Sequence, residues 1–287
     1  MKRAVFCLVV AGVLLVGSLA GAQEVLYDNF DGKTLDVTKW YGNSDTGSGM
    51  VTLETSRLMK NETLLKSKAL SLSTRTYVRD DSNSGTSTAH NGIVFADGSS
   101  IKTIVATVLV KKIQLPECSS NVVEPFDTYV RARIGGAFFN TGPRTEDSYL
   151  NDVYAWIGVG RTVPTEDPPD TLHVYAKVTH CTNASCGTTT PIGSDDPQDL
   201  GTVKLNKKVK LRITWDPDND QFIFQKGNAA EVHIGYAGYG FSDTSAPGAS
   251  NGGTKRLQIQ NILPNCTDEP RLFGYIDASF DNIKVTY

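Results

Sequence analysis

Apolar and polar residues alternate with a period of two along most of this chain, and a helical period of 3.6 persists nowhere. In T-Y-V-R-A-R-I, residues 128 to 134, Val130, Ala132 and Ile134 fall on one side while Tyr129, Arg131 and Arg133 fall on the other. The same split recurs in V-Y-A-W-I-G-V (153–159), L-H-V-Y-A-K-V (172–178) and V-K-L-R-I-T-W (209–215). Successive side chains of a strand point to opposite faces, so these segments predict half-buried strands of antiparallel sheets. The run I-V-A-T-V-L-V (104–110) is apolar on both faces and predicts a central strand. Polar, turn-rich stretches separate the runs, among them R-T-V-P-T-E-D-P-P-D, the hairpin turn D-P-D-N-D (216–220) and the long loop Ser242 to Thr254. Both ends carry an aspartate among apolar strand residues, Y-D-N-F-D-G near the start and F-D-N-I-K-V-T-Y at the close, which predicts that the terminal strands pair. About a dozen strands in two sheets define an all-β, antiparallel β-sandwich of jelly-roll type, with no helix longer than two turns.

The first 22 residues read differently. Met1-Lys2-Arg3 is basic, Ala4 to Leu19 is apolar, and Ala20-Gly21-Ala22 ends in small residues, which predicts a signal peptide cleaved before Gln23 and export to the periplasm or the exterior. Residues 23–287 then form a single expected domain, with no later stretch apolar enough to span a membrane as a helix. Lys and Arg number 28 against 31 Asp and Glu, so the chain lacks the electrostatic footprint of a nucleic-acid binder. Four cysteines remain after export: Cys118, Cys181, Cys186 and Cys266. An even count in an exported chain favours two disulfides, and three pairings are open. Cys181 with Cys186 is favoured, because T-H-C-T-N-A-S-C-G reads as two strand ends joined by a polar turn; Cys118 with Cys266 then follows.

Three segments carry a family resemblance: Y-D-N-F-D-G followed by L-D-V-T-K-W, the middle run V-K-L-R-I-T-W-D-P-D-N-D-Q-F-I-F-Q, and the closing F-D-N-I-K-V-T-Y. In these the chain resembles the concanavalin A-like lectin/glucanase superfamily, which includes laminarinase-type glucanases and laminin G-like modules. The resemblance implies the jelly-roll fold. It does not bring the glucanase chemistry with it, because E-x-D-x-E and E-x-D-x-x-E are absent, and Glu54, Glu62 and Glu231 stand apart. A retaining glycosidase needs two carboxyl groups about 5 to 5.5 Å apart, which alternation on one strand would supply. His90, His173, His180 and His233 show neither H-x-H nor H-E-x-x-H spacing, which leaves a zinc hydrolase without support. Alginate lyases of the same fold pair a histidine with a tyrosine, and His173 and Tyr175 share a strand face; the Q-I-H and R-x-E-L-R patterns of those enzymes are missing, with L-Q-I-Q at 257–260 a faint echo.

The strand faces opposite the core then hold the candidate binding residues: Tyr129, Arg131, Arg133, Tyr154, Trp156, His173, Tyr175 and Lys177. Aromatic faces stack on sugar rings, and Arg or Lys pairs with carboxylated or sulfated sugars. The expected role is non-catalytic binding of a glycan or cell-envelope polysaccharide, an acidic one in particular. The alternatives are a polysaccharide-cleaving enzyme with an atypical site and a structural or adhesive surface module. The family resemblance further implies one structural calcium, held by Asp281 together with Asp28 or Asn29 and a backbone carbonyl. Asp281 shares parity with Ile283 and Val285, which would turn it toward the core, where a carboxylate needs a cation or several donors.

Overall fold

The computed structural model describes residues 23–41, 59–78, 86–116, 128–143, 148–162, 167–248, 254–266 and 272–287. The expected signal peptide, Glu54 and Cys118 lie outside them. Sixteen strands follow one another among the described residues: β1 Val25–Asp28, β2 Trp40–Tyr41, β3 Met59–Leu65, β4 Leu70–Tyr77, β5 Thr86–Phe95, β6 Thr103–Gln114, β7 Tyr129–Asn140 and β8 Asp152–Thr162. The remainder are β9 Thr171–Cys181, β10 Thr189–Ile192, β11 Gln198–Lys204, β12 Lys208–Asp216, β13 Gln221–Lys226, β14 Val232–Gly235, β15 Lys255–Pro264 and β16 Phe273–Thr286. Helical structure in these residues is confined to 3-10 turns of three residues each.

The strands form two antiparallel sheets. The first runs β14-β13-β12-β6-β16-β4-β3, with β1 added on β16, and the second runs β10-β9-β8-β7-β15-β5-β2, with β11 added on β9. The doubly apolar β6 sits in the middle of the first sheet, as its composition requires. One core fills the space between the sheets. Leu72, Val108, Ile213, Phe222 and Phe280 enter it from the first sheet, and Val130, Ile134, Ile157, Val174 and Ile259 from the second, all fully buried. Each such side chain contributes about 1.5–3 kcal/mol relative to an exposed one. This is an all-β jelly-roll sandwich.

The terminal strands pair as the sequence predicts, with Val25 opposite Val285 and Leu26 opposite Lys284. The alternation of β16 does not survive to its end, however. Ile276, Ala278 and Phe280 face the core, then a bulge between Asp281 and Lys284 inserts a residue, with Asn282 at φ 50°, and Ile283 and Val285 become the core positions. Asp281 therefore turns outward with Asp277 and Ser279, opposite to the direction that simple parity gives.

At the other edge, Cys181 is bonded to Cys186 with Cα atoms 4.8 Å apart, closing the turn between β9 and β10. Cys266 is also disulfide-bonded. A Cys181→Ser/Cys186→Ser variant should lose about 2 kcal/mol, the chain-entropy value for so short a loop, measured by urea unfolding; no loss would mean that the hairpin is held by its backbone ladder alone.

Candidate functional site

The outer face of the second sheet carries three cross-strand rows, each set by register. His90 on β5, Gln260 on β15, Arg131 on β7, Gly160 on β8 and His173 on β9 stand side by side. The next row holds Gly92, Gln258, Arg133, Gly158 and Tyr175, and the one after it Val94, Arg256, Gly135, Trp156 and Lys177. The eight residues expected from strand parity all lie on this sheet. The structure adds His90, Gln258, Gln260 and Arg256 to them, together with the two glycines of β8.

Hydrogen bonds run along the rows. Arg131 donates from Nε and Nη2 to Gln260 Oε1, at 3.0 and 2.8 Å, and from Nη2 to the Tyr129 hydroxyl at 2.8 Å. Arg133 donates from Nε and Nη2 to Gln258 Oε1, at 2.8 and 2.6 Å. Since Gln260 Oε1 accepts from Arg131, the amide nitrogen of Gln260 is the donor to His90 Nε2, 2.8 Å away. That nitrogen must be unprotonated, so His90 is neutral with its proton on Nδ1. Burial and the charges of Arg133, Arg256 and Arg131 push its pKa down to about 3.

The aromatic residues have a different use from the stacking platform that the sequence suggests. Trp156 is 5% exposed and Tyr129 9% exposed, and the Arg131 guanidinium lies over both rings at 3.7 Å and 3.9 Å from Tyr129 and Trp156. Their faces support a cation and are not open to a sugar. Arg133 sits 5.6 Å from the Tyr154 ring centre. Burial raises the Tyr154 phenol, but the charges of Arg133, Arg256 and Arg131 outweigh it and hold the pKa below the ordinary tyrosine value. Among the described residues neither Arg131 nor Arg133 pairs with a carboxylate.

Gly158 and Gly160 leave a side-chain-free trench between these arginines and β9. A Cβ on Gly160 would lie 2.1 Å from the Val130 carbonyl and 2.6 Å from Arg131 Cβ, so only glycine fits there. Tyr129, Arg131, Arg161 and Tyr175 border a small cavity of about 20 Å³ along this trench, room for about one water.

Across the trench the expected binding residues divide. Tyr175 faces it. His173 does not offer a free ring, because Nδ1 donates to Asp199 at 2.9 Å and Nε2 donates to Asp167 at 2.7 Å. Two carboxylate acceptors require both ring nitrogens to be protonated, so His173 is an imidazolium clamp between the 167–170 turn and β11. Burial lowers its pKa, but the bonds to Asp167 and Asp199 outweigh that and raise it above the usual histidine value. Lys177 is likewise engaged, donating to the Asp195 carbonyl at 2.6 Å. The imidazole of His173 should titrate above pH 6.5 by NMR, and an Asp199→Asn variant should bring the midpoint down; an unmoved midpoint would deny the clamp.

The residues expected to hold calcium have protein partners. Asp28 accepts from the Trp40 indole N–H at 2.7 Å and from the Phe30 backbone N–H at 2.7 Å. Asn29 bonds to Asp31. Asp281 accepts from the Asn282 backbone N–H at 2.7 Å, and its other oxygen lies 3.8 Å from Lys208 Nζ. Among the described residues no group of three His, Cys, Asp or Glu side chains converges on a common point.

No protein-family model and no curated protein matches the chain. Solved structures that it is similar to include one from work on endo-acting O-glycanases that human gut microbiota express to initiate mucin breakdown, with 12% identity over 90% of this chain and 97% of that one and a TM-score of 0.43. The catalytic domain of an endo-1,3-β-glucanase (laminarinase) from Thermotoga petrophila is 13% identical over 93% and 99%, TM-score 0.42. The alginate lyase from Klebsiella pneumoniae is 12% identical over 88% and 96%, TM-score 0.37. Among the described residues no helix is long and apolar enough to cross a membrane.

Proposed function

We propose that the protein is exported and binds an acidic glycan across the arginine rows of the second sheet. The observation that carries this reading is the pair Arg131 and Arg133, both partly withdrawn from water and neither matched by a carboxylate among the described residues. A cation removed from water and left unmatched is costly. The carboxylates or sulfates of an acidic polysaccharide would supply the missing charge, with the glutamines and tyrosines fixing each guanidinium in place to receive it.

Binding of polyuronates, sulfated glycans and neutral glycans should be compared by calorimetry for the wild type and an Arg133→Gln variant, each with and without EDTA. The expected result is preference for the acidic polymers, weakened by added salt and reduced about 10- to 100-fold in the variant, as for loss of a charge-assisted bond worth about 1.5–3 kcal/mol. Full binding of the acidic polymers by the variant, or neutral polymers that bind equally well and lose as much affinity in the variant, would overturn the reading. Loss of binding in EDTA would bring the calcium ligands back into consideration.

One observation favours a second reading, polysaccharide cleavage by elimination. The pKa of Tyr154 is lowered by three nearby arginines, and as the phenolate it would take the proton α to a sugar carboxylate that the same arginines neutralise, a C=C bond forming as the glycosidic C–O bond breaks and the departing oxygen takes a proton from water. Ultraviolet absorbance from an unsaturated product, present with the wild type and absent with Tyr154→Phe, would replace simple binding with catalysis.

A further inference from the structure

We propose a second, independent ligand site, a cleft for a neutral glycan on the outer face of the first sheet. It comes from the lengths of the outward side chains. Ser71 and Ser73 on β4 stand opposite Ser279 and Asp277 on β16, and Thr107 on β6 stands opposite Asp281. These short side chains form a floor, and the longer Leu64, Lys66 and Lys208 rise around it, enclosing about 490 Å³. That volume falls within the roughly 300–1,000 Å³ of small-molecule sites.

The polar groups of the cleft select among ligands. Lys111 Nζ is 3.1 Å from the Ser71 hydroxyl and 3.8 Å from Asp277, and Lys208 Nζ is 3.8 Å from Asp281. Positive and negative side chains therefore neutralise one another in place. An anionic ligand would meet Asp277 and Asp281, and a cationic one would meet the lysines. The hydroxyls of Ser73 and Ser279 line the same space and have no hydrogen-bond partner among the described residues, although Ser279 is only 7% exposed. An apolar occupant would leave these groups unsatisfied. An uncharged chain of hydroxyls matches them: paired carboxylate oxygens accept from neighbouring sugar hydroxyls, serines both donate and accept, and Leu64 at the rim, 53% exposed, meets the apolar face of a ring.

Calorimetry and NMR titration with neutral gluco-, xylo- and manno-hexaoses test this on the full chain. At least one hexaose should bind the wild type, with shifts at Ser73, Thr107 and Ser279. Ser73→Phe, which plugs the floor, should abolish binding, Asp277→Asn should weaken it about tenfold, and Arg133→Gln on the opposite sheet should leave it unchanged. Asp277→Asn is an outward-facing, near-isosteric change, so its result stands even where the plug disturbs folding. Absence of binding by all three hexaoses, full binding by Asp277→Asn, or loss of binding in Arg133→Gln would overturn the proposal.

Discussion

At pH 4 the wild-type protein should have lost about 3 kcal/mol more of its pH 7 stability than a His90→Gln variant. The folded-state pKa of His90 is pushed down to about 3, from an ordinary value of 6.5, by burial first and then by Arg133, Arg256 and Arg131. Between those two values the unfolded chain binds a proton at this residue that the folded protein refuses. The stability contributed by a neutral His90 is thus complete above pH 6.5 and drains away as the pH falls toward 3. One pKa unit is worth about 1.4 kcal/mol, so roughly two and a half units have been spent at pH 4. Glutamine is the informative replacement, because its side-chain oxygen can accept from Gln260 in place of Nε2 and does not titrate over this range. Urea unfolding of both proteins at pH 7, 5 and 4 measures the difference. Parallel curves would mean that His90 is protonated in the fold and that the direction of the Gln260 hydrogen bond is reversed.

Replacing Trp40 by alanine should cost about 5 kcal/mol, the largest loss from any single substitution considered. Trp40 is 2% exposed and packs against Phe95 at 4.6 Å, Tyr27 at 5.2 Å and Phe30 at 5.6 Å between ring centres. Truncating a buried tryptophan costs about 3–5 kcal/mol in packing. The indole N–H is also one of the two donors to Asp28, and removing it leaves a carboxylate oxygen short of a partner, for about 1–3 kcal/mol more. Trp40→Phe separates these contributions, since it keeps most of the ring contacts and removes only the donor; a loss of about 1–3 kcal/mol is expected. Equal losses in the two variants, read from denaturant midpoints, would show that packing contributes little and that the Asp28 bond carries the effect. The motif Y-D-N-F followed by L-D-V-T-K-W is therefore a clasp, in which one aspartate joins β1 to β2 of the opposite sheet.

The sandwich, its central strand, the terminal pairing and the Cys181–Cys186 clip were legible in the chain because each depends on local alternation or a local turn. The candidate site was legible in part. Parity places Arg131, Arg133 and Trp156 on one face correctly, since β7 and β8 keep their alternation over those residues. Parity does not reveal which strands become neighbours. His90 and Gln260 are 170 residues apart and meet only because β15 lies between β5 and β7. The same holds for His173, whose free ring in the sequence becomes a clamped imidazolium through Asp167 in a turn and Asp199 on β11. Asp281 departs from simple parity for a local reason: a bulge of one residue reverses every later side chain, and its only trace in D-N-I-K is Asn282, a residue type that tolerates the left-handed backbone found there. Lys255 is the converse surprise, a fully buried lysine held by the Gly98 carbonyl at 2.8 Å and by the Phe138 ring.

The antiparallel pairing of β1 with β16 places Val25 beside Val285, so the two ends of the fold leave from the same end of two neighbouring strands. A tensile load applied between those ends would meet the hydrogen bonds of β1 one after another, as a zipper is opened, and not all together as in shear. With only four residues, β1 would peel at low force while the rest of the first sheet, continuous from β3 to β14, stayed whole. Mechanically the molecule is fit to be tethered by one end and poorly fit to serve as a link in a chain under tension.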